Sequence, residues 1–440
     1  MNSTWKFLLG LLMAAFLVSR GNAQDPENYE LPPINYSHAK PHDAVTRLRS
    51  QIESGKLKLA GSDREVVQTL LRDLHIPVTS QLLVFSKTSF QKDRISPTHP
   101  RALYYNDDCY VGWVPGGLVE VAAIDPQLGP VFYSFDPRNL SAQNVPNFAR
   151  DEDCMRCHGG QFVPGIPGVF ARSVYAGSNG EPFFRQGTEV VDYRTPFNER
   201  WGGWYVTGLH GKALHRGNVF ASEDGDKLVF NPAAGANVTN VSAFFDTNDY
   251  LTNSSDIVAL LVFEHQTAMQ NALTRAGINC RHMLDYQKRL AQDLKEPLKD
   301  DEPHYDSVRR IFEHSADDVV DALLFKDEAD LPDKITGSKT FQKAFMADAK
   351  RASDGSSLKD LLVSDHLFKN RCSYLIYSDA YLSLPQPLKR RIHARLIKAL
   401  DPVHPDPRYC YIHESERRRI VTILRETHPD FGNLSFAKSK

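Results

Sequence analysis

The hydrophobic pattern changes its period part-way along the chain, and that change limits the architecture more than any other feature. From "SQLLVFSKTSFQ" to "GPVFYSFD" (80–136), short β-branched and aromatic runs are separated by "NDD", "PGG" and "DPQLG". Runs of that kind, broken by turn residues, predict an antiparallel meander of about four strands. From about 254 onward the apolar residues recur at three- and four-residue spacing, which predicts helices to the end. "SSDIVALLVFEHQTAMQNALTRAG" has serines before it and Gly277 after it, the marks of a helix start and stop. Further helices are expected in 281–296, 304–325, 338–351, 371–383, 386–400 and 413–427. Two short helices precede the strands, in "PHDAVTRLRSQIESG" and "DREVVQTLLRDLHI", the second closed by Pro77.

Strands gathered in one part of a chain and helices in another give an α+β fold class. The order expected is N-terminal helices with an antiparallel sheet, then a loop-rich segment, then a helical C-terminal region. A chain of 440 residues exceeds the usual size of one core. The units expected are therefore 24–150, 151–225 and 226–440, behind a leader at 1–23.

That leader is the apolar run "FLLGLLMAAFLV" (7–18), followed by "SRGNAQ" with small residues Gly21 and Ala23. It is too short to span a membrane, which takes roughly 20 apolar residues, and reads as a secretory signal that exports the chain to the periplasm of a Gram-negative bacterium. No later stretch is long and apolar enough to span. A formal net charge of -2 gives no support for a nucleic-acid partner, and runs such as "KRRIHAR" and "RRR" read as solvated helix faces. Six cysteines in such a length do not make a disulfide scaffold. Cys109, Cys280, Cys372 and Cys410 leave up to two disulfides open, in three possible connectivities, or single buried thiols.

The other two cysteines stand in "ARDEDCMRCHGGQFVPGIPGVF", as Cys154, Cys157 and His158. A thioredoxin-like pair would open a helix after a strand in a βαβ unit, whereas this neighbourhood is loops and hairpins. A structural zinc site needs four ligands, and without a second Cys-x-x-Cys it would have to draw on His210 and His215. Covalent haem c accounts for all three residues: two thiols three apart for the two vinyl groups, and an adjacent imidazole for the iron. A proximal histidine ordinarily donates its other ring N–H to a backbone carbonyl, here expected from Pro164 or Pro167 in the loop that follows.

For the second axial position the small-cytochrome pattern of a downstream methionine is not met, because no Met lies between Met155 and Met269. His210 is the leading candidate as a metal ligand, with His215 behind it; both lie in the glycine-flanked "TGLHGKALHRGN". His265 and Met269, four apart on one helix face, are a second pair. Arg172, Arg185 and Arg200 could meet haem propionates, and Trp201 and Trp204 could pack on the porphyrin edge.

"SQLLVFSKTSFQKDRISPTHPRALYYNDDCYVGWVPGG", "CMRCH", "RWGGWYVTGLHG" and "EHQTAMQNALTRA", together with the leader, resemble a family of exported, single-haem cytochrome c-like proteins of planctomycetes and related bacteria. The resemblance covers most of 35–430 and implies haem and export, without a substrate. The chain departs from it at Arg216, in "HRGN", where the family's stretch carries Met, and at Cys109, in an apolar strand position.

Two functions follow. One is periplasmic electron transfer to a redox partner protein, with protein ligands on both sides of the iron. The other is a haem enzyme or small-ligand sensor, peroxidase-like, with an open distal side; a second Cys-x-x-Cys-His, as in di-haem peroxidases, is missing. Asn-x-Ser/Thr sequons at Asn35, Asn139, Asn237, Asn240, Asn253 and Asn433 would matter only on a eukaryotic secretory route, which does not attach haem c.

Overall fold

The computed structural model describes residues 28–432 except 141–145, 147, 299 and 333. The expected leader at 1–23 and the sequon at Asn433 lie outside the described residues.

Two short amphipathic helices come first, α1 (Ala44–Glu53) and α2 (Asp63–Asp73). Ser62 and Glu65 close a reciprocal capping box at the start of α2, as the Ser-x-x-Glu spacing allows. The meander follows as β1 (Leu82–Val84), β2 (Arg101–Tyr105), β3 (Cys109–Trp113), β4 (Val119–Asp125) and β5 (Gly129–Phe135). It is extended at one edge by β6 (Ala149–Arg150), which runs directly into the Cys-x-x-Cys-His segment. After α3 (Met155–His158) and a hairpin of β7 (Ala171–Val174) with β8 (Thr188–Val191), the chain returns as β9 (Trp204–Tyr205) and pairs with β1. The sheet order is β6-β5-β4-β3-β2-β1-β9, antiparallel throughout.

Alternation along the strands divides the sheet into two faces. One face, with Leu83, Tyr104, Val111 and Val121, packs in the same cluster as the apolar sides of α1 and α2. The other face, with Tyr105 and Tyr110, receives the long helix α4 (Ile257–Leu294). The Tyr105 hydroxyl donates to the Ala259 carbonyl at 2.6 Å, and Gln266 Nε2 donates to the Asn106 carbonyl at 2.7 Å. Behind α4 stand α5 (Asp306–Leu323), α6 (Lys339–Phe345), α7 (Asp379–Leu382), α8 (Gln386–Ala399) and α9 (Glu414–Thr427).

The α+β class and the helical C-terminal region are as expected. Gly277, however, does not end a helix: α4 continues through it and stops at Lys295, in the left-handed conformation. The buried residues run on past the glycine at Ile278, Cys280, Gln287 and Ala291, so packing holds the helix together where local preference would let it end. The sheet and both hydrophobic clusters also run across the boundaries expected at 150 and 225, since β9 and α4 supply parts of the same layers as β1–β5. Among the described residues no helix is long and apolar enough to cross a membrane. All six cysteines are free thiols, with Cys109, Cys280 and Cys372 buried and Cys410 exposed.

Candidate functional site

Cys154 and Cys157 sit on one tight turn, where a 3-10 turn (Glu152–Cys154) passes into α3. Asp151 fixes its entry: the carboxylate caps the turn at the Asp153 amide and accepts from the Ser134 hydroxyl of β5 at 2.8 Å. The segment is thereby fastened to the sheet edge that precedes it.

His158 ends the turn with its ring between Phe132 (centroids 4.4 Å apart) and Phe170 (4.9 Å). Its Nδ1 lies 2.7 Å from the Gly168 carbonyl oxygen, and the Gly168 amide donates to the His158 carbonyl at 2.8 Å. A carbonyl can only accept, so Nδ1 carries the proton and Nε2 is left with its lone pair. Burial, with the positive charge of Arg101 acting in the same direction, pushes the imidazole down to about 4, against the opposing effect of the Gly168 bond. The ring is neutral near neutral pH. The carbonyl comes from the loop containing Pro164 and Pro167, as expected, but from the residue after Pro167 and not from either proline.

The loop is held from α4. Asn271 accepts from the Val169 amide at 3.0 Å and donates to the Val169 carbonyl at 2.7 Å, and Arg275 donates to the Pro164 carbonyl at 2.7 Å. Gly168 makes this approach possible, because a Cβ there would stand 2.9 Å from both Asn271 Oδ1 and Val163.

Cys154, Cys157 and His158 line a cleft of about 300 Å³ over the second face of the sheet. Its floor is largely apolar, with Val84, Leu103, Ala122 and Phe132 from the strands and Trp204 from β9, and Phe263 of α4 walls one end. The Trp204 indole N–H donates to the Arg172 carbonyl at 2.6 Å, which ties the β7 hairpin to the sheet. The Arg172 guanidinium donates to Thr188 Oγ1 and lies over the Phe162 ring. Burial, and next the negative charge of Asp151, pushes the Cys154 thiol up to about 12, so it is protonated at rest; Cys157 is exposed. A second hollow of about 180 Å³, beside Asp107, Asp108 and Lys359, is lined by no cysteine or histidine.

The other expected ligands do not reach this cleft. His210 has both ring nitrogens engaged: Nδ1 donates to the Ala213 carbonyl at 2.7 Å and Nε2 accepts from the Asn237 amide at 2.9 Å. His215 accepts from the Gly217 amide on Nδ1, which places its proton on a buried Nε2 with no partner and leaves no lone pair for a metal. His265 is buried, with Nε2 2.8 Å from the Ser373 hydroxyl and its ring stacked on Phe325, and Met269 is buried on the same helix. None of the four lines the cleft, so the expectation of His210 as a ligand opposite His158 is not met. Among the described residues no group of three or more His, Cys, Asp or Glu side chains could hold a metal ion, which leaves the zinc arrangement with His210 and His215 without support.

Of the expected arginines, only Arg172 lines the cleft. Arg200 is buried and committed to Glu264 at 2.7 Å and to the carbonyls of Thr195 and Tyr193. Arg185 is exposed away from the cleft, and Trp201 packs against Phe197 and His215. Comparison of the chain with protein-family models, with curated proteins and with solved structures finds no match.

Proposed function

We propose that the chain is a c-type haem protein that takes up a small ligand in the cleft beside His158. The residues there suit the group. Two free thiols flank one turn at the cleft edge, the imidazole is neutral with Nε2 unused, and the floor is apolar enough to pack a porphyrin. Cys154 and Cys157 would hold it as thioethers, and His158 Nε2 would ligate the iron. When bound, the haem supplies a redox-active iron able to accept a further ligand.

The remaining tasks fall to the protein. Gly168 and Asn271 set the tautomer and direction of His158, and the Phe132 and Phe170 rings flank it. The carrying observation for ligand uptake, as opposed to electron transfer alone, is that no second imidazole or thioether stands among the described residues lining the cleft. Periplasmic electron transfer with a partner protein is the second reading. It is favoured by the exposure of Cys157 and of Phe90 at the cleft, which would leave a cofactor edge near the surface. Export, with residues 1–23 as signal, belongs to the same proposal because haem c is attached outside the cytoplasm.

The test is a visible spectrum of protein matured in a bacterial periplasm with the cytochrome c maturation system, oxidised and reduced, with and without cyanide or carbon monoxide. A high-spin spectrum that shifts on ligand addition is expected. A sharp low-spin spectrum unmoved by either ligand would favour electron transfer, and no Soret band would reject haem. Cys154→Ala with Cys157→Ala should abolish the covalent attachment, read as loss of haem from the denatured polypeptide.

A further inference from the structure

A charged pair interrupts the apolar floor of the cleft. Arg101 on β2 reaches across β3 to Glu120 on β4, with its Nη2 2.5 Å from Oε2. The way is open because Gly112 stands between them. Leu103, Gly112 and Glu120 are in register across the three strands, and a Cβ at position 112 would overlap the Arg101 guanidinium. Glycine inside a central strand gives up side-chain packing and adds conformational entropy to the unfolded chain, and it commonly marks a place where another group must come close.

Stability does not explain the pair. The side chains are half-buried, 21% and 13% exposed, and a charged pair partly withdrawn from water is often no better than apolar residues of the same volume. Their hydrogen bonding is also incomplete: Arg101 Nε is buried with no acceptor among the described residues, and Glu120 Oε2 meets the guanidinium without hydrogen-bond geometry. Both side chains line the cleft that holds Cys154 and His158, and the charge of each reaches Cys154. A donor with spare capacity, fixed by a carboxylate in an apolar cleft, is an arrangement for receiving an anion.

We infer that Arg101, held in place by Glu120 across Gly112, donates a hydrogen bond to a small anion bound at the haem iron in this cleft. The inference rests on the haem reading above. The same guanidinium chemistry would also serve a haem propionate, and the experiment separates the two.

Protein carrying covalent haem is titrated with fluoride and, after reduction, with carbon monoxide, in the parent and in Arg101→Lys, Arg101→Leu and Arg101→Leu with Glu120→Leu. The double variant leaves no charge unpaired and keeps the test valid where the single variant fails to fold. The fluoride dissociation constant is expected to rise about ten-fold or more in both leucine variants and less in Arg101→Lys, with a shifted C–O stretch in the infrared. Fluoride affinity within about two-fold of the parent, with the stretch unmoved, would overturn the inference. So would unchanged fluoride affinity accompanied by a shifted reduction potential, which would assign Arg101 to a propionate. A parent that carries haem but binds neither probe overturns it as well, whereas a parent with no Soret band refutes the haem reading itself.

Discussion

His265 makes the stability of the fold depend on acidity, and the size of the effect can be worked out. In an unfolded chain a histidine titrates near 6.5, but full burial pushes His265 down to about 3. Its surroundings explain this: the ring faces Phe325, Tyr193, Phe368 and Tyr374, with the Ser373 hydroxyl at Nε2 and, among the described residues, no hydrogen-bond partner at Nδ1. The folded-state value is depressed. The stability contribution is therefore complete above the unfolded value and is lost as pH falls toward 3, because the unfolded chain takes up a proton that the folded chain refuses. By about pH 5 the loss from this one residue is about 2 kcal/mol. Urea unfolding of the parent and of His265→Phe at pH 7 and pH 5 measures it, with the parent losing about 2 kcal/mol more than the variant over that interval. The comparison of two losses cancels whatever the substitution costs at pH 7. Equal losses in the two proteins would mean that the folded chain protonates His265 as readily as the unfolded one, so that burial does not depress its titration.

Two further substitutions have expected magnitudes. Arg200→Leu strands the buried Glu264 carboxylate and should cost about 3–5 kcal/mol in chemical denaturation, part of which Glu264→Leu in the same chain should restore. Asp256 caps α4 by accepting from the Val258 and Ala259 amides at 3.1 Å, so Asp256→Ala should cost about 1–2 kcal/mol, read as a lower thermal midpoint.

Much of the fold is legible in the sequence where a local signal agrees with the packing. The meander is marked by its turns, α2 by its Ser-x-x-Glu box, and α8 and α9 by their periodicity. The length of α4 is not legible, because Gly277 is a stop signal locally and a packed interior residue in the fold. The strand β9 is hidden for a related reason: two residues pair with β1 across more than a hundred positions, and no pattern in "WYVTG" announces a partner so far upstream.

At the candidate site, spacing alone marks Cys154, Cys157 and His158 and the loop that meets Nδ1, but the carbonyl is that of Gly168 and not of Pro164 or Pro167. Spacing fails for His210 and His215. Whether a histidine ring is free is decided by backbone groups such as the Asn237 and Gly217 amides, which a sequence does not display. Arg101 and Glu120 lie some fifty and thirty-odd residues before the cysteines and escape notice, although they do leave a trace. In "RALYY" and "VEVAAID" they take positions on the face that β1 and β5 fill with Val84 and Phe132, and a charge on that side of a strand calls for an explanation. Asn271 leaves no such trace.

The return of β9 to β1 sets an order of assembly. The cleft is bounded by residues as early as Val84 and as late as Phe263, and its edge strand is synthesised only after the cysteine turn has already emerged. Contacts so distant along the chain carry a larger loop-closure entropy and are expected to form late. Cys154 and Cys157 are thus expected to stand on an accessible chain before the cleft closes around them, so that a group attached there would be enclosed by the folding that follows.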